Sequence, residues 1–210
     1  MTSSVPQESV DDQERLVLDA IRSGQSTRFE ELVLAYQNRL FAAMLAVLGN
    51  RQDAEDVTQE AFTKAFLKLN AFQAKSSFFT WLHRIAFNLA IDLRRRDARS
   101  RSIGRVSMET ASDELRSAEP LPLDATEQNE TQQKIYSALA MIDPERRSVI
   151  TLRDLQGMDY SEIAQVLEIP IGTVRSRLHR ARLELRDLLS EYIQPHSSHQ
   201  VRLERGVSET

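Results

Sequence analysis

Apolar residues recur at three- and four-residue steps through most of this chain. Phe29, Leu32, Val33, Tyr36, Leu40 and Met44 share one face, the spacing of an amphipathic helix with a single buried stripe. Gly49 and Asn50 end it. A second helix is expected from 53 to about 69, with Val57, Ala61, Ala65 and Leu69 as its stripe and Phe62 and Phe66 beside it. Residues 70–77 are polar and read as a loop. A third helix starts near Phe78 with Leu82, Ile85, Ala86, Leu89 and Leu93 on one side. Phe87 and Ile91 fall opposite, so this helix is expected to be buried on more than one side.

Periodicity then stops. Residues 98–130 are rich in Ser, Glu and Asp and contain Pro120 and Pro122, the composition of a flexible acidic linker. A second periodic unit follows over 131–192, its first helix marked by Ile135, Leu139 and Ile142. Asp143-Pro144 reads as a cap followed by proline at the first helical position, opening a second helix that Gly157 closes. Asp159 with Glu162 three residues on has capping-box spacing, and a third helix runs to Leu167. After a turn at 168–170, a fourth helix carries Val174, Leu178, Ala181, Leu185 and Leu189 on one face. The expected architecture is all-α: a polar N-terminal segment (1–25), a helical domain (26–97), the linker (98–130), a second helical domain with a helix-turn-helix (131–192), and a polar, disordered tail (193–210).

Composition agrees with this picture. Aromatics are 6% of 210 residues and there are 6 glycines, which favours helices over a β sandwich. Cysteine is absent, which excludes disulfides and Cys-ligated zinc and suits a reducing compartment. The first residues lack the apolar core of a signal peptide, and the longest apolar run, 41–48, is too short to span a bilayer. A cytoplasmic protein without membrane insertion is expected. The net charge of −4 argues at first against nucleic acid, but charge is segregated. Residues 84–105 hold seven Arg against two Asp, and 171–186 hold five Arg against one Glu. Residues 109–130 hold seven acids against one Arg. Patches, rather than totals, steer a polyanion.

The final helix pair is the strongest local signal. A short helix joined by a tight turn to an Arg-rich helix is the helix-turn-helix layout, whose second helix enters the major groove. With Val174 facing inward, Arg175, Ser176, His179 and Arg180 point largely outward. Arg bridges two acceptors on guanine, and Ser contacts several bases. Thr173 and the helix-start amides suit a phosphate. The plainer alternative is a solvated Arg-rich face. A second signal is the basic end of the third helix, with Arg94, Arg95 and Arg96 beside Phe72, Phe78, Phe79 and Trp81. Cations and ring faces together suit an unpaired strand, while ordinary core packing is the plainer reading of Phe79 and Trp81 and Phe72 stays open between the two. A third is acidic: Asp53, Glu55, Asp56 and Glu60 on the first turns of a helix, favoured there by the helix dipole or placed to dock a basic partner. No motif sets a nucleophile beside a base, no Gly-rich loop cradles phosphate, and no catalytic residue, metal ligand or cofactor is assigned.

Four blocks, DAEDVTQEAFTKAF, FFTWLHRIAFNLAIDLRRR, LRDLQGMDYSEIAQVL and IPIGTVRSRLHRARLELR, resemble in order the extracytoplasmic-function sigma factors of bacterial RNA polymerase. The resemblance covers both helical units. It implies that Asp53, Asp56, Gln59 and Glu60 meet the clamp helices of the polymerase's largest subunit. It implies a loop with Phe72, Lys75, Ser76 and Ser77 that captures a flipped base of the melted −10 element, with Asn88 and Asp92 reading bases on the next helix and Arg95 and Arg96 beside them. Extrusion costs a few kcal/mol of stacking, so an unstacked base needs a pocket. It implies that Arg153, Arg175, Ser176, His179 and Arg180 read the −35 element as duplex, with Thr173 on its backbone. Members are held inactive by an anti-sigma factor or another regulator. Glu168 departs from the family, which often has Gly at that point of the turn; a positive φ there strains any other residue by around 1 kcal/mol. Two competing readings are a stand-alone helix-turn-helix regulator, which leaves the first domain's blocks as coincidence, and a pure interaction protein, which leaves the arginines idle.

Overall fold

A computed structural model describes residues 7–104 and 127–193, and all regular structure among them is helical. The N-terminal half holds α1 (Gln7–Arg22), α2 (Phe29–Leu48), α3 (Arg51–Leu67) and α4 (Phe78–Gly104); the C-terminal half holds α5 (Glu127–Met141), α6 (Pro144–Ile150), α7 (Tyr160–Leu167) and α8 (Ile171–Ile193). The helix ends follow from local chemistry. Gly49 takes φ +72° and stops α2, after which the Asn50 side chain accepts from the Asp53 amide and starts α3. Asp143 caps α6 with Pro144 in its first turn. Asp159 and Glu162 form a reciprocal capping box on α7. Between α6 and α7 the chain widens into a π-helical turn, Thr151–Leu155, before Gly157 at φ +75°. Glu168 closes α7 in the left-handed region, φ +55° and ψ +43°, the strained geometry that its place in the turn suggested.

Three expectations change. The polar N-terminal segment contains α1, which buries Val17, Leu18 and Ile21 in the core. Its Glu14 accepts from the Tyr36 hydroxyl and from the Phe78 amide. Helix α4 continues through 98–104 and α5 begins at Glu127, so both ends of the expected linker are helical. Residues 105–126, and the tail from 194, lie outside the described residues. Helix α2 is long and apolar enough by composition to cross a bilayer, yet Leu40, Ala43 and Met44 are fully buried against its neighbours.

The two halves also pack directly on each other: α4 lies on α7, and α2 touches α5, α6 and the π-helical turn. The seam is polar as well as apolar. Buried Arg147 donates to the carbonyls of Val47 at 3.0 Å, Ile142 at 2.9 Å, and Ala140. Val47 and Ala140 end α2 and α5, so the guanidinium sits where helix C-termini converge and carries the charge their dipoles favour. Burial, with the charge of Arg94, lowers its pKa to about 10, against the pull of Asp143, and it stays cationic.

His83 lies fully buried at the same seam, its Nδ1 paired with the Phe79 carbonyl at 2.9 Å and its ring 4.1 Å from that of Phe79. Among the described residues Nε2 has no hydrogen-bond partner. Burial lowers the imidazole pKa to about 4; the Phe79 bond opposes this, the Arg39 charge adds to it, and Gln156 opposes it more weakly. A neutral buried histidine stabilises the fold above its unfolded pKa near 6.5, and that contribution is lost as pH falls from there toward about 4. Between pH 7.5 and 5 the urea stability of the wild type should drop by on the order of 2 kcal/mol more than that of His83→Gln; equal slopes would show the ring is not buried neutral.

Candidate nucleic-acid interface

Helix α8 divides its arginines into two classes. Val174, Leu178 and Ala181 are buried and fix the helix against the rest of its half. Arg177 pairs with Glu145, Arg182 makes a bidentate contact to Asp154 at 3.0 and 2.6 Å, and Arg186 pairs with Asp187. Arg175, His179 and Arg180 are exposed and, among the described residues, none makes an intramolecular ion pair or hydrogen bond. Ser176 is exposed beside them, its hydroxyl donating to the Thr173 carbonyl at 3.1 Å. Thr173, half-buried, lies in the first turn of α8. Arg153 stands apart from this group. Its Nη1 donates to the Met158 carbonyl at 2.7 Å and its guanidinium lies 5.3 Å from the Tyr160 ring centre, so its first duty is to hold the turn before α7. The free cations sit on the outer face of the second helix of a helix-turn-helix, the geometry for groove entry.

On α4, Arg84, Asn88, Asp92 and Arg95 follow one another at helical spacing and all are exposed, with Arg96 next to them. Asp92 and Arg95 approach only to 4.0 Å. The preceding loop exposes Lys75 and half-exposes Ser76 and Ser77. The Ser77 hydroxyl accepts from the Thr80 amide at 3.1 Å, which caps the start of α4 and fixes the loop on the helix. Phe72 corrects the expectation of a base-stacking ring. It is 5% exposed, packed 5.0 Å from Trp81 and edge-on at 6.1 Å to Phe78, because the 3-10 turn Leu69–Ala71 folds the chain back into the core. Trp81 and Phe79 take the packing role that was the plainer reading of each.

On α3, Asp56, Gln59 and Glu60 are exposed and Asp53 is half-buried. Glu60 pairs with Lys64 and Asp56 accepts from Gln52, local contacts that leave the face acidic. The sequence did not announce what lies beside them. An open groove of about 690 Å³ between α2 and α3 is lined by Val33, Phe41, Glu55, Gln59, Phe62 and Phe66. The signal was Phe62 and Phe66 lying off the apolar stripe of α3. Such an apolar trough with a polar rim fits a helix of a partner protein. No group of three His, Asp or Glu suited to a metal occurs among the described residues.

The family model for Sigma-70 region 2 matches residues 32–100, and that for Sigma-70 region 4 matches residues 132–185. The chain is 36% identical to ECF RNA polymerase sigma factor SigE of Mycolicibacterium smegmatis over 78% of its own length, and spans 62% of that relative. It is 33% identical to RNA polymerase sigma-H factor of Pseudomonas aeruginosa, covering 81% of this chain and 91% of that one. Among solved structures it resembles the sigma factor RpoE in complex with the anti-sigma factor NepR from Bartonella quintana. There the TM-score is 0.61 at 26% identity, over 77% of this chain and 96% of the other.

The two classes of arginine give a direct contrast. Arg175→Ala and Arg180→Ala should each weaken binding at the upstream duplex element by about 1–3 kcal/mol, while Arg182→Ala, whose partner is Asp154, should leave it nearly unchanged in the same titration. Phe72→Ala should lower urea stability by about 3–5 kcal/mol as a core deletion. A stable Phe72→Ala chain that loses only single-strand binding would return that ring to the DNA surface.

Proposed function

Because the chain belongs to the extracytoplasmic-function sigma factors of RNA polymerase, we propose that it directs the core enzyme to promoters whose upstream element is read by α8 and whose downstream element is opened and held by α4. The observation that carries this reading is the free Arg175–Arg180 ridge beside three α8 arginines tied into salt bridges. A solvated face would give no reason for that division. Arg175, Ser176, His179 and Arg180 supply donors for base edges, and Thr173 supplies a phosphate contact. Arg153 supports them through the turn it braces. For the melted strand, Asn88 and Asp92 face the bases, Arg95 and Arg96 neutralise the backbone, and Lys75, Ser76 and Ser77 line the loop that takes an extruded base.

The core enzyme seats on α3, with Asp53, Asp56, Gln59 and Glu60 meeting basic residues of the largest subunit's clamp helices and the α2–α3 groove receiving their apolar side. The chain itself performs no bond chemistry; it works in the cytoplasm, where the core enzyme polymerises. A solved relative is bound by an anti-sigma factor, and the same kind of regulator covering these surfaces is the natural inhibitor here. A stand-alone regulator would need no acidic docking face and would bind its operator tightly without polymerase.

Run-off transcription on genomic DNA with core polymerase should reveal new start sites with this chain present. Reversing the acidic face (Asp56→Lys with Glu60→Lys) should abolish them while leaving binding of the upstream duplex by the isolated chain intact. New start sites that survive the reversal would remove α3 as the docking surface, and no new start sites with the wild type would refute the proposed function.

A further inference from the structure

Helix α1 packs on α2, yet two of its polar side chains reach much further along the chain. Arg22 Nη2 donates to the Phe72 carbonyl at 2.5 Å, and its guanidinium lies 5.9 Å from the Phe72 ring centre. Glu14 Oε1 accepts from the Phe78 amide at 3.1 Å, and its other oxygen accepts from the Tyr36 hydroxyl. These contacts join residues 50 and 64 positions apart. They fall on the two residues that bracket the segment 73–77, which holds Lys75, Ser76 and Ser77.

Each contact lands on a backbone group that needs it. The Phe78 amide is among the unpaired donors at the start of α4, where the helix dipole favours a carboxylate. That carboxylate is itself held by Tyr36 of α2, so it does not follow a moving loop. The Phe72 carbonyl stands at the other end, just after the 3-10 turn Leu69–Ala71, and takes a charge-assisted bond from the guanidinium. Glu14 and Arg22 are some two helical turns apart, about 12 Å of rigid rod. Both ends of the segment are therefore tied to one rail.

The segment carries the mark of that restraint. Ala74 lies at φ +52°, in the left-handed region, and is exposed, so its own side chain does little to hold it there. Such a conformation persists only where the surroundings fix it. Phe72 and Phe78 are buried, the Ser77 hydroxyl oxygen accepts from the Thr80 amide, and Arg22 and Glu14 close the frame. A loop ordered beforehand loses no freedom when a base enters it, which strengthens binding. A helix cap alone would explain Glu14, but not Arg22 on the far side of the same loop.

We propose that Glu14 and Arg22 are positioning residues for base capture, holding residues 73–77 in the shape that receives the extruded base and acting through the loop without touching DNA. What the loop binds rests on the function proposed above; the brace itself does not. With the brace cut, the loop holds its receiving shape for only part of the time, and apparent affinity falls by that fraction.

Arg22→Met keeps an unbranched stem beside Phe72 and removes the donor. Glu14→Ala removes the acceptor, and Glu14→Gln keeps one. The chain has no cysteine, so a nitroxide on Gln73→Cys, an exposed position, reports on the loop alone. Its mobility in the free protein should rise in Arg22→Met and in Glu14→Ala and stay near the wild-type level in Glu14→Gln. Half-saturation of a promoter fragment should need roughly three- to tenfold more holoenzyme when the factor carries either disrupting change. That gap should close on a fragment with an abasic site at the extruded position, located beforehand by abasic scanning with the wild-type holoenzyme. Unchanged mobility overturns the brace. Raised mobility with no loss, or with equal loss on intact and abasic fragments, overturns its role in base capture. If no abasic site weakens wild-type binding, the capture assigned to this loop fails, and the nitroxide still decides whether α1 holds it.

Discussion

Every helix leaves unpaired amides at its start and unpaired carbonyls at its end, and the groups that satisfy them here also set the functional geometry. Ser77 caps α4 and thereby fixes the loop that leads into the basic stripe. Asp159 and Glu162 cap α7, and the same Glu162 carboxylate meets Thr80 of the other half. Arg147 satisfies the terminal carbonyls of α2 and α5 together, so one buried cation serves as a cap for two helices and a joint between two halves. In an all-helical protein with so little other regular hydrogen bonding available, the helix ends are where the parts can be told how to meet.

Charge is then distributed by what each cation has to do. On α8 the arginines that face α6 and the π-helical turn are consumed by Glu145 and Asp154, which orients the helix. Arg175 and Arg180 on the outer face have no partner among the described residues. On α3 Glu55 and Glu60 pair with Arg51 and Lys64 of their own helix, yet the acids outnumber the cations there and sit beside an apolar groove, a combination that favours a protein partner over a nucleic acid. A chain with net charge −4 can thus bind a polyanion, because the acids and the cations occupy different faces.

Much of this was legible before the fold was known. The apolar spacing located α2, α3, α4 and the four helices of the second half, and Asp143-Pro144, Gly49, Gly157 and the Asp159–Glu162 pair marked ends that the structure shows. The free face of α8 could be read from a helical wheel, since Val174, Leu178 and Ala181 fix which side is buried. What escaped was non-local. Val17, Leu18 and Ile21 are too few to announce a helix in a polar segment, and α1 packs on α2, which is distant in the pattern. Phe72 looked available because its neighbours are polar, and only the 3-10 turn before it sends the ring inward. The docking of the halves depends on carbonyls of Val47 and Gln156, which no side-chain pattern can reveal.

The central claim is that one chain grips duplex DNA with the outer face of α8 and an opened strand with α4, and does so as part of a polymerase. Permanganate reactivity of a promoter fragment tests it most directly. With core enzyme and this chain together, thymines of the downstream element should become reactive while the upstream element is protected, and neither change should occur with core enzyme alone. Protection of the upstream duplex by the chain alone, at equal affinity and with no reactive thymines when polymerase is added, would contradict the account.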